Sequence, residues 1–436
     1  MDKKKIGVIS LGCDKNRVDT ENIITTLSRH TKFMFVHDKA QADLIIINTC
    51  AFLQSAREEA AATIQEMAEL KKGNLKKLIV AGCLPMLKKD EVLKAFPEVD
   101  AIVVPEEYKN IDKLVFKLFG EKATKPNKDT PARILTTPMH YTYLKIADGC
   151  NNRCAYCKIP FIRGKYTSIP MEDILKEAEA LTERGVKEFI LVAQDITRYG
   201  MDLYKDYKLI ELLQNLGKIK KLSWIRLLYC YPDMMSDALI AEIRDNPKVL
   251  KYVDIPLQHI SNNMLKAMKR RGTKEEIETL ITKLRTEIPE IKIRSTFMVG
   301  FPGETEKDVK ELCKFLKTYK LDNVGFFKYS REEGTASYDY ENQVEEEIKD
   351  KRLAKVQKIQ EKVAKKNNLK LKGQTVKVLC DFYIAQHKFY VGRSYFSAPE
   401  IDFEILFSSY KRVPNGSFID VKITDFRDGY FIGEVE

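Results

Sequence analysis

The sequence predicts an α/β protein in three parts: an N-terminal domain built on a parallel sheet, a central partial β/α barrel, and a small C-terminal β-barrel. Three observations predict it. Apolar strand-like runs alternate with amphipathic helical stretches across 3–120 and again across 139–369. The helical signal stops at Lys370, and five short strand-like runs separated by turn residues fill the rest. Six of the nine cysteines fall into two triplets, and each cysteine of the first triplet directly follows an apolar run.

In the first part, 1–120, strands are expected at 5–11, 43–48, 77–81 and 101–104, with the clearest helix at 54–72. Such alternation makes a parallel sheet with helices on its faces. Residues 121–138 are rich in Lys, Thr and Pro, lack apolar periodicity and are expected to be a linker. The second part, 139–369, has strands at 141–146, 188–192, 224–228, 252–255, 292–298 and 323–327, with helices such as 171–184, 274–286 and 305–319 between them. Six units are two short of a full eightfold barrel, so an open, TIM-like (β/α)6 barrel is expected. A charged helix at 343–368, with apolar positions Val344, Ile348, Leu353, Val356, Ile359 and Val363, closes this part. The third part, 370–436, has strands at 374–383, 388–395, 402–407, 417–424 and 429–435. Five strands in so short a segment fit an OB-like five-stranded β-barrel, a fold often used to bind polymers.

Composition sets the class. The chain has 436 residues, 44% hydrophobic and 31% charged, an ordinary globular balance. No run approaches the roughly 20 apolar residues of a membrane span, so no membrane partner is expected. The lysines of the N-terminus are not followed by an apolar stretch, so no signal peptide is expected. The expected localisation is cytoplasmic, where thiols stay reduced and free to bind metal. The formal net charge is +11, and all of the excess lies in 1–369, since 370–436 carries nine basic and nine acidic residues. A basic body suits an anionic partner, or is simply a solvated lysine-rich face. No Ser–His–Asp set, Walker loop or G-x-G-x-x-G opening a helix supports a hydrolase or nucleotide kinase.

The cysteines carry the chemistry. Cys150, Cys154 and Cys157 form a C-x3-C-x2-C loop after the strand at 141–146, and Gly149 permits a sharp turn into it. Three thiolates on one loop can hold one cube-type iron–sulfur cluster and leave its remaining iron open to a small molecule. Structural zinc is the competing reading; it needs a further ligand, and the nearest histidine, His140, lies before the strand. Cys13, Cys50 and Cys83 end the runs VISLGC, LIIINTC and LIVAGC. Ligands gather outside the carboxyl ends of parallel strands, so these thiols would project into one crevice and hold a second cluster. The competing reading is three buried cysteines acting as small hydrophobes, the reading adopted for Cys230, Cys313 and Cys380.

The C-x3-C-x2-C loop resembles the signature of the radical S-adenosylmethionine superfamily. With the cysteine-bearing N-terminal domain and the small C-terminal barrel, nearly the whole chain resembles the methylthiotransferase family of that superfamily, whose barrel is called the TRAM domain. One branch of the family modifies tRNA adenosine, and another modifies an aspartate of a ribosomal protein. The segment SLGCDKNRVDTE resembles the SLGCPKNLVDSE of the ribosomal-protein branch, with Asp14 where proline is usual. Ala193-Gln194-Asp195 with Tyr199-Gly200, and Ala398-Pro399-Glu400-Ile401-Asp402, resemble the same branch. DIPLQH (254–259), MKRRG (268–272) and VGFPGET (299–305) fit both. The neutral barrel, with Asp381, Glu400, Asp402 and Glu404, reads as an acidic edge suited to a basic protein rather than to tRNA, or as a mixed soluble surface.

The resemblance implies the following assignments. The Cys150, Cys154 and Cys157 cluster chelates S-adenosylmethionine and cleaves it to a 5′-deoxyadenosyl radical, and the Cys13, Cys50 and Cys83 cluster supplies or carries the sulfur. Tyr156 stands where an aromatic residue usually lies near the adenine. Gln194 and Asp195 face the cofactor or the substrate. Gly300 and Gly303, with Glu304, line the cofactor pocket through their backbone or form a plain turn. Arg294, which alternates with apolar residues on its strand, faces either the cofactor carboxylate or solvent. His259 is expected to be structural. The implied reaction is methylthiolation of an aspartate β-carbon in small-subunit ribosomal protein twelve. It would use two 4Fe–4S clusters, S-adenosylmethionine, an electron donor such as flavodoxin or ferredoxin, and a sulfur donor. A tRNA adenosine methylthiotransferase and a non-catalytic metal-binding RNA-interaction protein are the alternatives.

Overall fold

A computed structural model describes residues 3–127 and 129–435 of the chain. Its N-terminal part runs β1 (Lys4–Ser10), α1 (Asp14–Ser28), β2 (Phe33–Phe35), β3 (Leu44–Thr49), α2 (Gln54–Glu69), β4 (Lys77–Gly82), α3 (Cys83–Ala95), β5 (Ala101–Val103) and α4 (Ile111–Leu118). The strands form one parallel sheet in the order β2-β1-β3-β4-β5. β3 sits at its centre and is buried along its whole length, which is why it reads LIIINT with no polar alternation. The edge strand β2 has only three residues, too few for a periodic sequence signal.

The central part continues with β6 (Tyr141–Lys145), β7 (Ala147–Asp148), α5 (Ile159–Ile162), β8 (Thr167–Ser168), α6 (Met171–Glu183), β9 (Glu188–Val192), α7 (Met201–Tyr204) and α8 (Leu209–Gly217). There follow β10 (Trp224–Leu227), α9 (Asp237–Asp245), β11 (Val249–Asp254), α10 (Asn262–Ala267), α11 (Lys274–Glu287), β12 (Lys292–Val299), α12 (Glu306–Tyr319), β13 (Asn323–Lys328) and α13 (Glu346–Asn368). β6, β9, β10, β11, β12 and β13 pair in that order as a six-stranded parallel sheet. Alternation along each strand sorts the two faces. Ile293, Phe297 and Val299 join the large core under the helices. Arg294, Thr296 and Met298 take the opposite, concave face. Capping boxes at Thr273 and Thr305 start α11 and α12, each satisfying orphan amide donors.

The last part, β14 (Thr375–Ile384), β15 (Phe389–Arg393), β16 (Ile405–Ser408), β17 (Phe418–Arg427) and β18 (Tyr430–Val435), closes into the expected five-stranded barrel. Its Leu379 and Ala398 pack on Tyr141, Tyr143, Ile190, Trp224 and Tyr252, so the small barrel covers part of the concave face of the central sheet.

Three expectations need correction. The helix expected at 343–368 starts at Glu346, so Val344 lies outside it, and its apolar positions do not all face inward. Ile348 is exposed, whereas Lys349, Arg352, Val356 and Gln360 are buried. Arg352 pairs with the buried Glu304 at 2.7 Å, and the Lys349 stem packs over Gly300, so charged side chains with apolar stems mark that part of the buried face. The segment 121–138 has no helix or strand among the described residues, yet it is packed. Arg133 is fully buried, pairs with Glu21 and Glu177, and donates to the Tyr143 carbonyl. The acidic edge expected on the barrel is largely spent within the chain. Asp381 binds Arg393 and His140, Asp402 accepts from Tyr252 at 2.6 Å, and Glu400 pairs with Arg17.

The seam between barrel and sheet is a buried charge cluster. Glu188 is fully buried and accepts from Arg226 and Arg393, each at 2.7 Å. These two cations hold its carboxyl below the usual range against the opposing effect of burial. Glu188→Gln removes the anion and leaves the buried Arg226 without its carboxylate, while Arg393 keeps Asp381. We expect a loss of about 3–5 kcal/mol in urea unfolding. A change below about 1 kcal/mol would mean that this cluster does not fix the barrel.

Candidate functional site

The N-terminal trio follows from sheet order. β1, β3 and β4 are adjacent and parallel, and Cys13, Cys50 and Cys83 lie just beyond their carboxyl ends. Cys13 stands at the N-cap position of α1 and Cys83 opens α3, so two of the three thiols sit at helix N-termini, though burial outweighs that placement and raises both thiols. Two glycines make room for them. A Cβ on Gly12 would fall 2.6 Å from Cys50 Cβ. Gly82 has φ of +93° and ψ of −147°, a glycine conformation, and a Cβ there would collide with Asn48 Oδ1 and the Thr49 carbonyl. Gly82→Ala should therefore cost at least about 2 kcal/mol in thermal or urea unfolding and disorder the Cys83 position. Wild-type stability in that variant would show that the turn relaxes without loss.

The second trio lies on the loop between β7 and α5. Gly149, at φ of +72°, lets the chain turn beside the Lys165 carbonyl. Each sulfur has a donor near it. The amides of Asn152 and Ile159 point at Cys150 and Cys157 at 3.5 and 3.4 Å. The Tyr231 hydroxyl lies 3.3 Å from Cys154, and Arg270 Nη1 lies 3.6 Å from it. Arg270 also stacks on the Tyr231 ring at 4.2 Å and donates to the Pro256 carbonyl. Burial pushes the thiols of Cys83 and Cys157 up to about 12, so without metal they stay protonated and ligation must release protons.

All six cysteines line one cavity of about 500 Å³ between the N-terminal sheet and the open ends of the central strands. Among the described residues no three His, Cys, Asp or Glu side chains close on a single point as a lone ion requires. The residues of each trio instead border a shared space, which fits a cluster whose irons each take a different thiolate. The wall also carries Tyr156, Gln194, Tyr229, Asp254, Gln258, Arg294, Thr296, Met298 and Phe327, drawn from successive strand ends as in β/α barrels. Gln194 Oε1 and Gln258 Oε1 are buried there without a hydrogen-bond partner. Two orphaned acceptors suit a ligand rich in donors, such as the ammonium, hydroxyl and amine groups of S-adenosylmethionine.

The other residues singled out from sequence are placed as follows. Arg294 reaches the cavity, but its guanidinium is paired with Asp254 at 2.9 Å and lies 3.6 Å from Asp402. Gly300 and Gly303 follow β12 outside the cavity wall, where the Gly300 amide donates to Glu304 Oε2. Asp195 is buried and accepts from Asn152 and Arg198, fixing the cysteine loop from behind. His259 is buried, accepts from the Ser261 amide and meets Glu304. Cys230, Cys313 and Cys380 lie in apolar cores. Sequence reasoning passed over Asn16, Asp148, Arg163, Tyr231 and Arg270. Asn16 and Arg270 lie inside the quoted segments SLGCDKNRVDTE and MKRRG, but nothing in the spacing assigns them to a sulfur.

Sequence profiles match three stretches in the same order: an uncharacterized protein family, UPF0004, at 5–104, the Radical SAM superfamily at 144–316 and a TRAM domain at 373–435. Fold and site together define a radical S-adenosylmethionine enzyme, a class that carries that cofactor on a 4Fe–4S cluster. Two curated relatives named ribosomal protein uS12 methylthiotransferase RimO set the narrower grouping. The one from Acetivibrio thermocellus is 44% identical over 99% of this chain and 98% of its own. The one from Desulforamulus reducens is 45% identical over 99% of both. The chain belongs to the RimO family of radical S-adenosylmethionine methylthiotransferases. The fold is shared with the methyltransferase TsrM from Kitasatospora setae at a TM-score of 0.56 and 14% identity, over 74% of this chain and 73% of that one. It is shared with the cobalamin-dependent enzyme OxsB at 0.53 and 14%, over 83% and 56%. No helix among the described residues is long and apolar enough to cross a membrane.

Proposed function

We propose that this enzyme adds a methylthio group to the β-carbon of an aspartate in ribosomal protein uS12, using two 4Fe–4S clusters held by its two cysteine trios. The observation that carries the reading is the single cavity bordered by all six thiols. The relatives' printed activity supplies the substrate. When bound, the clusters and S-adenosylmethionine supply an electron, a hydrogen-abstracting group, sulfur and a methyl group.

The protein's own part is to hold and to shield. Cys150, Cys154 and Cys157 ligate the cluster that meets the cofactor, and Cys13, Cys50 and Cys83 ligate the auxiliary one. Gln194 and Gln258 offer their free carbonyl oxygens to donors of the cofactor. Tyr156 presents its ring to the adenine, and Arg294, tethered by Asp254, presents a cation with restricted motion. Gly300 and Gly303 act one step back, through the turn that Glu304 ties to Arg352. Ile162, Met298 and Phe327 keep water from the reacting groups. An electron donor such as flavodoxin or ferredoxin, and a sulfur donor, complete the cycle.

The test is a reconstituted reaction with uS12 and, separately, with tRNA, read by mass spectrometry. A mass gain of one methylthio group on a uS12 aspartate supports the proposal. The same gain on tRNA adenosine alone would transfer the enzyme to the other branch.

A further inference from the structure

Each trio has one thiol that meets a buried arginine. On the cofactor side it is Cys154, approached by Arg270. On the auxiliary side it is Cys83, whose sulfur lies 3.3 Å from Arg163 Nε. The arginines come from the central domain, so Arg163 reaches across the domain boundary to a cysteine of the N-terminal sheet.

Arg163 is fixed on every side. Its Nη1 donates to Asp19 at 2.7 Å and to Asp148 at 3.0 Å, and its Nη2 donates to the Asn16 side-chain oxygen. Lys145 binds the same two carboxylates. Asp148 uses its other oxygen to accept from the Gly149 amide at 2.9 Å and from Gln194 at 3.0 Å. A continuous chain of hydrogen bonds thus runs from Cys83 through Arg163 and Asp148 to the residue preceding Cys150 and to a side chain of the cofactor cavity. A second cavity of about 610 Å³, lined by no cysteine, backs on to this network from the far side. Both Nη nitrogens donate to oxygen, and the Nε–H points at the Cys83 sulfur. Hydrogen bonds to ligand sulfur stabilise the more negative, reduced state of an iron–sulfur centre and raise its potential.

We infer that Arg163 is a positioning residue of the auxiliary centre. Its Nε–H donates to the Cys83 thiolate, raises that centre's reduction potential, and ties it to the Asp148–Gln194 side of the cofactor cavity. Arg270 does the same for Cys154 and leaves the auxiliary centre untouched. The inference rests on the ligand assignment proposed above.

Three measurements test it, all on the full chain with Cys150, Cys154 and Cys157 replaced by Ala, so that only the auxiliary centre can assemble. Iron content comes first: if this chain holds no iron, the ligand assignment falls and the inference with it. If iron is present, pulsed EPR of the reduced centre is recorded on protein labelled with 15N-arginine. A 15N coupling from arginine is expected, and its absence in an iron-loaded chain overturns the inference. An EPR-monitored redox titration then compares this chain with versions carrying Arg163→Lys or Arg270→Lys. Arg163→Lys should shift the auxiliary potential to a more negative value and abolish the 15N coupling, while Arg270→Lys should change neither. Equal potentials in all three chains would overturn the inference. Failure of the Arg163→Lys chain to load iron leaves the 15N measurement on the parent chain to decide.

Discussion

Cys154→Ala is expected to abolish formation of 5′-deoxyadenosine while leaving the fold intact. Cys154 is the buried middle member of its loop and has the most elaborate surroundings, with the Tyr231 hydroxyl at 3.3 Å and Arg270 at 3.6 Å. Its partners at the site keep other contacts when the sulfur is lost. Arg270 retains the Pro256 carbonyl and the Tyr231 ring. The loop itself is anchored independently, by Asn152 on Asp195 and by Gly149 on Asp148. Unfolding midpoints should therefore stay within about 1 kcal/mol of wild type. Iron should fall to roughly four per chain, the content of the auxiliary centre alone. Methylthiolated product should vanish together with 5′-deoxyadenosine. A variant that still forms 5′-deoxyadenosine at the wild-type rate would remove this trio from the cofactor-cleaving role.

Cys50→Ala should separate the two steps. Cys50 follows the central strand of the N-terminal sheet, between Cys13 and Cys83, so its loss breaks the auxiliary trio in the middle. None of the described hydrogen bonds that hold the Cys150–Cys157 loop involves Cys50. S-adenosylmethionine cleavage should persist at a reduced rate, and methylthiolated product should be lost. The measurement is the ratio of 5′-deoxyadenosine to methylthiolated uS12, which should rise steeply. If both variants lose only one and the same step, the division of labour between the trios is wrong.

The legible parts of the sequence were those with a strong local pattern. LIIINTC and LIVAGC announce buried parallel strands, and strand ends in such a sheet are adjacent only if the strands are. The sequence predicts one crevice for the three thiols if their strands are parallel, and the parallel order β1-β3-β4 puts them at neighbouring strand ends. The barrel strands, each with turn residues on both sides, were found to within a few residues. What stayed hidden is tertiary. Ile348 has core-like hydropathy, but the Arg352–Glu304 pair sets the helix face and leaves it exposed. The barrel's acids looked like a surface because charge alone does not reveal a buried partner 150 or more residues away. Arg163 stands in a short segment with no periodicity, and its link to Cys83 spans 80 residues. The orphaned oxygens of Gln194 and Gln258 exist only once the cavity around them exists.

The claim on which the rest depends is that both trios bind iron, on opposite sides of one cavity. Anaerobic reconstitution with iron and sulfide, followed by iron analysis and Mössbauer spectroscopy, tests it most directly. Wild type should hold roughly eight irons per chain, and each triple-alanine variant, of Cys13, Cys50 and Cys83 or of Cys150, Cys154 and Cys157, roughly four. About four irons in wild type, with none retained when Cys150, Cys154 and Cys157 are replaced, would leave the N-terminal trio without a cluster and contradict the account.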